Sequence, residues 1–247
     1  LDDTQVTEDR VLNGRIRLRQ KAGGYRAGMD AALLAAACDT GPGDRVIEAG
    51  CGVGGALLAA AARNPGSRFQ GIERDPEAAA LARGNVALNA MSDRVEIATG
   101  DVQAGFRTLA LPVFDAAISN PPFFDDPEAL RAPAPAKTGA WMADGGLAAW
   151  TAFLLKAVRE GGTITIIHRA DRLADILALL APKAGSFKIR PVQPFADTPA
   201  KRVIVRAIKT GKAPLALLPA LVLHDRDGGG HSAAAEAVLR GEAALDW

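Results

Sequence analysis

Hydrophobic and polar positions along this chain follow two periods, and the switches between them lay out its elements. In GRIRLRQKAGG, Ile16 and Leu18 alternate with arginines, a two-residue period that predicts an arm or short hairpin within residues 4–26. Farther on, short apolar runs at 44–50, 68–73, 94–99, 114–120 and 163–168 read as buried strands. The segments between them read as helices: DAALLAAACDT from Asp30, residues 55–63, DPEAAALARGNVALNA, GLAAWTAFLLKAVREGG and residues 171–181. Asp75 before Pro76 marks a helix start, because a side-chain oxygen can cap free N–H groups and proline at the first position removes no needed donor. The helix GLAAWTAFLLKAVREGG is expected to end in its two glycines. Two further strands, FKIRPVQPF and KRVIVRAIKT, follow with no helix between them.

Strands alternating with helices demand a parallel sheet with both faces covered. The last two strands lack a helical crossover, so one of them is expected to run antiparallel at or near the edge. The expectation is an α/β chain with a seven-stranded, mostly parallel sheet, one antiparallel strand and helices on both faces. A basic arm would occupy residues 1–30 and one domain residues 31–247.

Composition narrows the classes. The chain has 247 residues, 49% hydrophobic and 23% charged, in the range of globular proteins. Cys38 and Cys51 form neither a disulfide framework nor a zinc spacing, and His168, His224 and His231 are scattered, so no metal is expected. LDDTQVTEDR does not read as a signal peptide. The apolar run 213–223 is short and broken by Pro214 and Pro219, so no membrane segment is expected and the chain reads as cytoplasmic. Net charge is only +1, yet Arg10, Arg15, Arg17, Arg19, Lys21 and Arg26 follow one another with no acid between them. A second basic stretch, from Lys183 to Lys212, contains only Asp197 in opposition. Such segments suit contact with phosphate, and equally a solvated face balanced by acids nearby in space.

Chemistry enters at VIEAGCGVGG. Gly50, Gly52 and Gly54 lie between a strand and a helix, where a tight turn needs positive φ and a ligand needs close approach to the backbone. Glu73 ends the next strand, where a carboxylate can bind ribose hydroxyls. Glu48 stands just before the turn, and a carboxylate there would repel a pyrophosphate but attract a cation. S-adenosylmethionine carries an ammonium, a sulfonium and a ribose without phosphate, so the charges favour it over a dinucleotide. E-A-G-C-G-V-G resembles the first motif of the Rossmann-like S-adenosylmethionine methyltransferases. That resemblance implies a cofactor site in which Glu48 lies near the methionine part, Glu73 binds the ribose and Asp101 lies near the adenine.

FDAAISNPPFFDD ends the fourth strand of the sheet in a rigid corner. In open α/β sheets the ligand crevice lies outside the carboxyl ends of the strands, so Asn120 should face the reactive end of the cofactor and join its binding set. A conjugated amino group is a poor nucleophile, and acceptors for its N–H groups would stabilise the charge that grows on nitrogen. The Asn120 side-chain oxygen is one acceptor and the Pro121 carbonyl a second. Pro121 and Pro122 fix φ at successive positions, and Phe123 can stack on a planar substrate. The tetrad resembles the fourth motif of amino-methyltransferases acting on adenine N6, guanine N2 or a glutamine amide.

GYRAGMDAALLAAA, NPPF and RDGGGHSAAAEAVLRG together resemble one family, the bacterial tRNA adenine-N6 methyltransferases that modify valine tRNA beside the anticodon. The resemblance implies tRNA as partner, with Arg15, Arg17, Arg19, Lys21, Arg26, Lys201 and Arg202 as candidate contacts to its backbone. Members often carry tyrosine where this chain has Phe123, a departure that keeps guanine N2 open. The rivals are a protein glutamine methyltransferase, an inactive cofactor-binding RNA-binding subunit and a dinucleotide oxidoreductase.

Overall fold

The computed structural model describes residues 6–22, 27–122 and 146–247. An antiparallel hairpin, β1 (Val6–Val11) and β2 (Ile16–Lys21), leads into the domain. Seven strands then make the central sheet: β3 (Arg45–Ala49), β4 (Arg68–Glu73), β5 (Val95–Thr99), β6 (Phe114–Ser119), β7 (Val158–Arg169), β8 (Ala184–Gln193) and β9 (Arg202–Lys209). Their spatial order is β8-β9-β7-β6-β3-β4-β5, and β9 runs antiparallel to both its neighbours. Two short strands, β10 (Ala216–Leu217) and β11 (Leu221–Val222), pair in parallel with β8 and bring the sheet to nine. The seven-strand expectation omits them, because Pro214 and Pro219 hide their pattern by dividing the apolar run into short pieces.

Six helices are described: α1 (Met29–Ala36), α2 (Gly55–Arg63), α3 (Pro76–Leu88), α4 (Gly146–Ala157), α5 (Leu173–Leu180) and α6 (Ala233–Arg240). The two-residue period of the strands splits the core between the faces of the sheet. Val46, Phe69, Ile118 and Ile204 pack with Leu33, Leu34, Leu57 and Leu58 of α1 and α2. Ile47, Ile72, Ala117 and Val205 pack with Trp150, Phe153 and Leu154 of α4 and with Ile176 and Leu180 of α5.

Helix α4 departs from its expected end. It stops at Ala157, and Val158 already pairs with Phe114 in the sheet. The two glycines belong to β7, where the register shifts between Phe114 and Ala116. A Cβ on Gly162 would stand 2.8 Å from the Asp115 carbonyl oxygen, and Gly161 has φ +73. They permit a bulge and are not a helix cap.

The hairpin docks on this frame. Ile16 and Leu18 are fully buried. Asn85 on α3 and Asn89 at its C-terminal cap accept from the Arg19 and Arg17 amides at 2.8 and 2.9 Å and donate to their carbonyls at 2.9 and 2.7 Å. Two side-chain amides therefore complete the edge of β2 as a neighbouring strand would. Among the described residues, no helix is long and apolar enough to cross a membrane, and no group of three His, Cys, Asp or Glu residues could hold a metal ion.

Candidate active site

Parallel strands β6, β3, β4 and β5 end side by side. Ala49 pairs with Ser119 on one side and Ile72 on the other, and Glu73 pairs with Thr99. Asn120, Gly50 and Glu73 thus stand in one rank, with Asp101 two residues past Thr99. The chain runs outward from β3 through β4 and β5, then returns to β6 on the opposite side of β3. That reversal opens a crevice between the carboxyl ends of β3 and β6, where ligands of such sheets bind. The Ser119 hydroxyl, fully buried, donates to the Ala49 carbonyl at 3.0 Å and ties the two strand ends together.

The glycines divide by role. A Cβ on Gly50 would lie 2.1 Å from the Trp150 ring, so that position is bare to admit an aromatic of α4. Gly52 has φ +55 and nothing within 4 Å of an added Cβ, so this part of the turn faces open space. Gly54 is left-handed and directly precedes α2.

The two carboxylates differ sharply. Glu73 is fixed from both ends: one oxygen accepts from the Gly52 amide at 2.9 Å and the other from the Asp75 amide at 2.9 Å. Lone pairs remain on both oxygens for ribose hydroxyls. Glu48 is 3% exposed. Burial pushes its carboxyl up to about 8; an amide of α2, that of Leu57, works against the shift, and the charge of Glu73 adds to it. Its Oε2 is buried with no hydrogen-bond partner. Asp101 accepts from the Gln103 amide at 2.8 Å and caps a short 3-10 turn.

These features fit S-adenosylmethionine. A buried carboxyl oxygen lacks a partner that an ammonium could supply, Glu73 is held in place with acceptor capacity to spare, and Gly52 leaves the approach open. A pyrophosphate would instead meet two acids.

On the other side of Asn120 stands a residue with no motif to announce it. His168 of β7 lies two positions past Ile166, the partner of Ser119 in β6. It is 3% exposed. Burial lowers its pKa to about 4, the nearby Pro122 backbone opposes that shift, and Arg172, Arg169 and Arg202 reinforce it.

The basic candidates disperse. Arg15 donates to the carbonyls of Leu12, Arg240 and Gly241 at 3.3, 3.1 and 2.8 Å, closing the C-terminal end of α6. Arg17 and Arg19 bind Glu8 at 2.8 and 3.3 Å on the exposed hairpin, and Lys21 pairs with Glu77 at the start of α3. The carboxyl of Glu8 is held below its usual range, chiefly by the Arg17 hydrogen bond. Arg202 pairs with Asp30 at 2.9 Å, while Lys201 is exposed beside it. Arg26 and Phe123 lie outside the described residues.

Known proteins are similar to this chain in sequence and fold. Residues 25–133 match the family model for the methyltransferase small domain. A tRNA1(Val) (adenine(37)-N6)-methyltransferase of Porphyromonas gingivalis is 38% identical over 125 residues, 48% of each chain. The match thus spans about half the length of that relative. A protein of the same name from Trichodesmium erythraeum is 26% identical over 207 residues, covering 80% of this chain and 83% of its own. Among solved structures, one titled a predicted O-methyltransferase from Agrobacterium tumefaciens superposes with a TM-score of 0.74 at 28% identity, covering 87% of this chain and 98% of its own.

Proposed function

We propose a substrate and a chemistry for a chain whose residues 25–133 belong to the methyltransferase small domain family, within the S-adenosylmethionine-dependent methyltransferases: it methylates the exocyclic N6 of an adenine in tRNA. The observation that carries the reading is the position of Asn120, one strand over from Gly50 at the mouth of the β3/β6 crevice. The relatives named for adenine-N6 methylation of tRNA1(Val) support the substrate.

S-adenosylmethionine supplies an electrophilic methyl group on a sulfonium. Glu48 offers its partnerless oxygen to the ammonium, and Glu73 accepts from the ribose hydroxyls. Asn120 accepts an N–H of the adenine amino group, and the Pro121 carbonyl accepts the other. These acceptors polarise the N–H bonds toward nitrogen as positive charge grows there, which lowers the barrier where charge develops. Two prolines hold the acceptors in place before the substrate arrives, so little reorganisation is needed. An adenine in an anticodon loop reaches such a corner by turning out of its stack, at less cost than from a duplex. Phe123, next after the prolines in sequence, supplies the stacking face.

The test is transfer of labelled methyl groups to total RNA and to total protein, followed by nucleoside analysis. N6-methyladenosine in the tRNA fraction is expected. N2-methylguanosine, or label confined to protein and resistant to RNase, would overturn the substrate assignment.

A further inference from the structure

Asn85 and Asn89 hold the same strand of the hairpin, and Asn85 also reaches the glycine turn. Its side chain is fully buried, and its oxygen and both N–H groups are engaged. The oxygen accepts from the Arg19 amide at 2.8 Å, and the nitrogen donates to the Arg19 and Val53 carbonyls, both at 2.9 Å. Two carbonyls and one N–H around it leave a single orientation of the amide. Asn89 grips Arg17 in the same way, but its second donation returns to the Asn85 carbonyl at 2.8 Å.

Val53 sits where the turn is least constrained by its own side chains. Gly52 before it has φ +55 and Gly54 after it φ +89. Glycines lose more conformational freedom on ordering than other residues, so peptide planes between them need anchors from outside. Two side chains supply them. Glu73 accepts from the Gly52 amide at 2.9 Å, and Asn85 donates to the Val53 carbonyl one residue on. Helix α3 is itself set on Glu73, whose other oxygen accepts from the amide of Asp75, the N-cap. The chain after the hairpin meets the same place again. A Cβ on Gly55, the first residue of α2, would stand 2.3 Å from the Ala27 Cβ and 3.6 Å from Leu18 Cδ2. Ala27 is tied back to β2 by Gln20, whose side chain accepts from the Ala27 amide at 3.0 Å.

We propose that Asn85 is a positioning residue of the cofactor site: its one side-chain amide couples the backbone of the hairpin to the turn that S-adenosylmethionine approaches, so the docked hairpin helps to shape that turn. Without the amide, the Val53 carbonyl loses its donor from α3 and the peptide between Val53 and Gly54 gains freedom. Glu73 keeps its own bonds. Ordering the turn then consumes part of the binding free energy, which weakens the cofactor without touching the methyl acceptor. The coupling is reciprocal: a bound cofactor strengthens the hold of Asn85 on Arg19 by the same factor.

This inference rests on the reading of the glycine turn as the cofactor site, and its test separates the two. Asn85→Ala removes the bridge; Asn89→Ala removes the matching grip on β2 and leaves the Val53 bond in place. By calorimetry, Asn85→Ala should bind S-adenosylmethionine about tenfold more weakly at unchanged stoichiometry, the range for one buried hydrogen bond. Its kcat at saturating cofactor should stay near that of the parent, and Asn89→Ala should keep the parent's affinity. Parent-like affinity in Asn85→Ala overturns the proposal. An equal loss in both variants also overturns it, because Asn85 would then be a hairpin anchor alone. Glu73→Ala reports on the site itself. If it binds as the parent does, the placement of the cofactor falls and this inference with it; if it binds weakly and Asn85→Ala does not, this inference falls alone. If Asn85→Ala does not fold, hydrogen exchange in the parent decides. Saturating S-adenosylmethionine should slow exchange of the Arg19 amide more than that of the Arg17 amide; equal slowing, or none, overturns the proposal.

Discussion

The two sides of the crevice hold buried ionisable groups of opposite type. On the cofactor side, Glu48 is an acid that burial pushes up to about 8. On the acceptor side, His168 is a base that burial lowers to about 4. Both are uncharged at neutral pH. Their surroundings differ: one Glu48 oxygen lacks any hydrogen-bond partner and lies near the charge of Glu73, whereas His168 lies beside the Pro122 backbone with Arg172, Arg169 and Arg202 nearby. A buried polar atom without a partner costs about 1–3 kcal/mol. The cofactor side therefore carries an unmet demand that a ligand can fill. In the proposed reading, one half binds and the other aims.

The largest effect expected is on the aiming half. Asn120→Ala should lower methyl transfer by about 10²–10³, the range for removing one group that stabilises a transition state. Cofactor affinity by calorimetry should stay within a few-fold. Parent-like turnover would show that the corner does not aim the acceptor.

Glu48→Gln comes next and should act in opposite senses on stability and binding. The folded-state pKa of Glu48 is raised, so the unfolded chain releases the proton first as pH rises. Its burial therefore costs nothing below about pH 4.5 and progressively more up to about pH 8. The variant should be more stable than the parent at pH 8 by up to about 4 kcal/mol, with the difference vanishing near pH 4. Urea denaturation at the two pH values checks this. Calorimetry should show weaker S-adenosylmethionine binding in the same variant. A variant that is both less stable at pH 8 and unchanged in affinity would erase the contrast between the two sides.

His168 predicts the reverse slope. Its folded-state pKa lies below the usual 6.5, so the unfolded chain takes the proton first as pH falls. The contribution is full above about pH 6.5 and is lost between about pH 6.5 and 4, to a limit of about 3 kcal/mol. His168→Gln should flatten the acid limb of a stability–pH curve over that window. An unchanged limb would mean that the loss comes from carboxylates elsewhere.

The two halves are unequally legible in the sequence. Glu48, Glu73 and the glycine turn can be read because close backbone approach and a fixed carboxylate leave local patterns. Even there, Gly50 is bare for Trp150, far away in sequence, a reason no local pattern supplies. Asp101 reads as an adenine neighbour, and its visible work is to cap a turn. His168 reads as one of three scattered histidines, because its meaning comes from lying beside β6, across a sheet whose pairing no local motif records. The end of α4 misleads for a related cause: a glycine pair looks the same at a helix cap and at a bulge until the partner strand is known.

The smallest expected effect lies at the hairpin, where the sequence shows a row of cations and the structure shows two arginines sharing Glu8. Exposed ion pairs of this kind contribute about 0–1 kcal/mol, so Arg17→Glu with Arg19→Glu should change the melting temperature little. If the hairpin contacts RNA backbone, the double variant should weaken RNA binding in a filter titration. It should also reduce the slope of log affinity against log salt, by roughly one for each phosphate that is no longer neutralised. Cofactor affinity should not move, because Asn85 holds the arm by the Arg19 backbone, which the double variant keeps. An unchanged salt slope would assign both arginines to a solvated face.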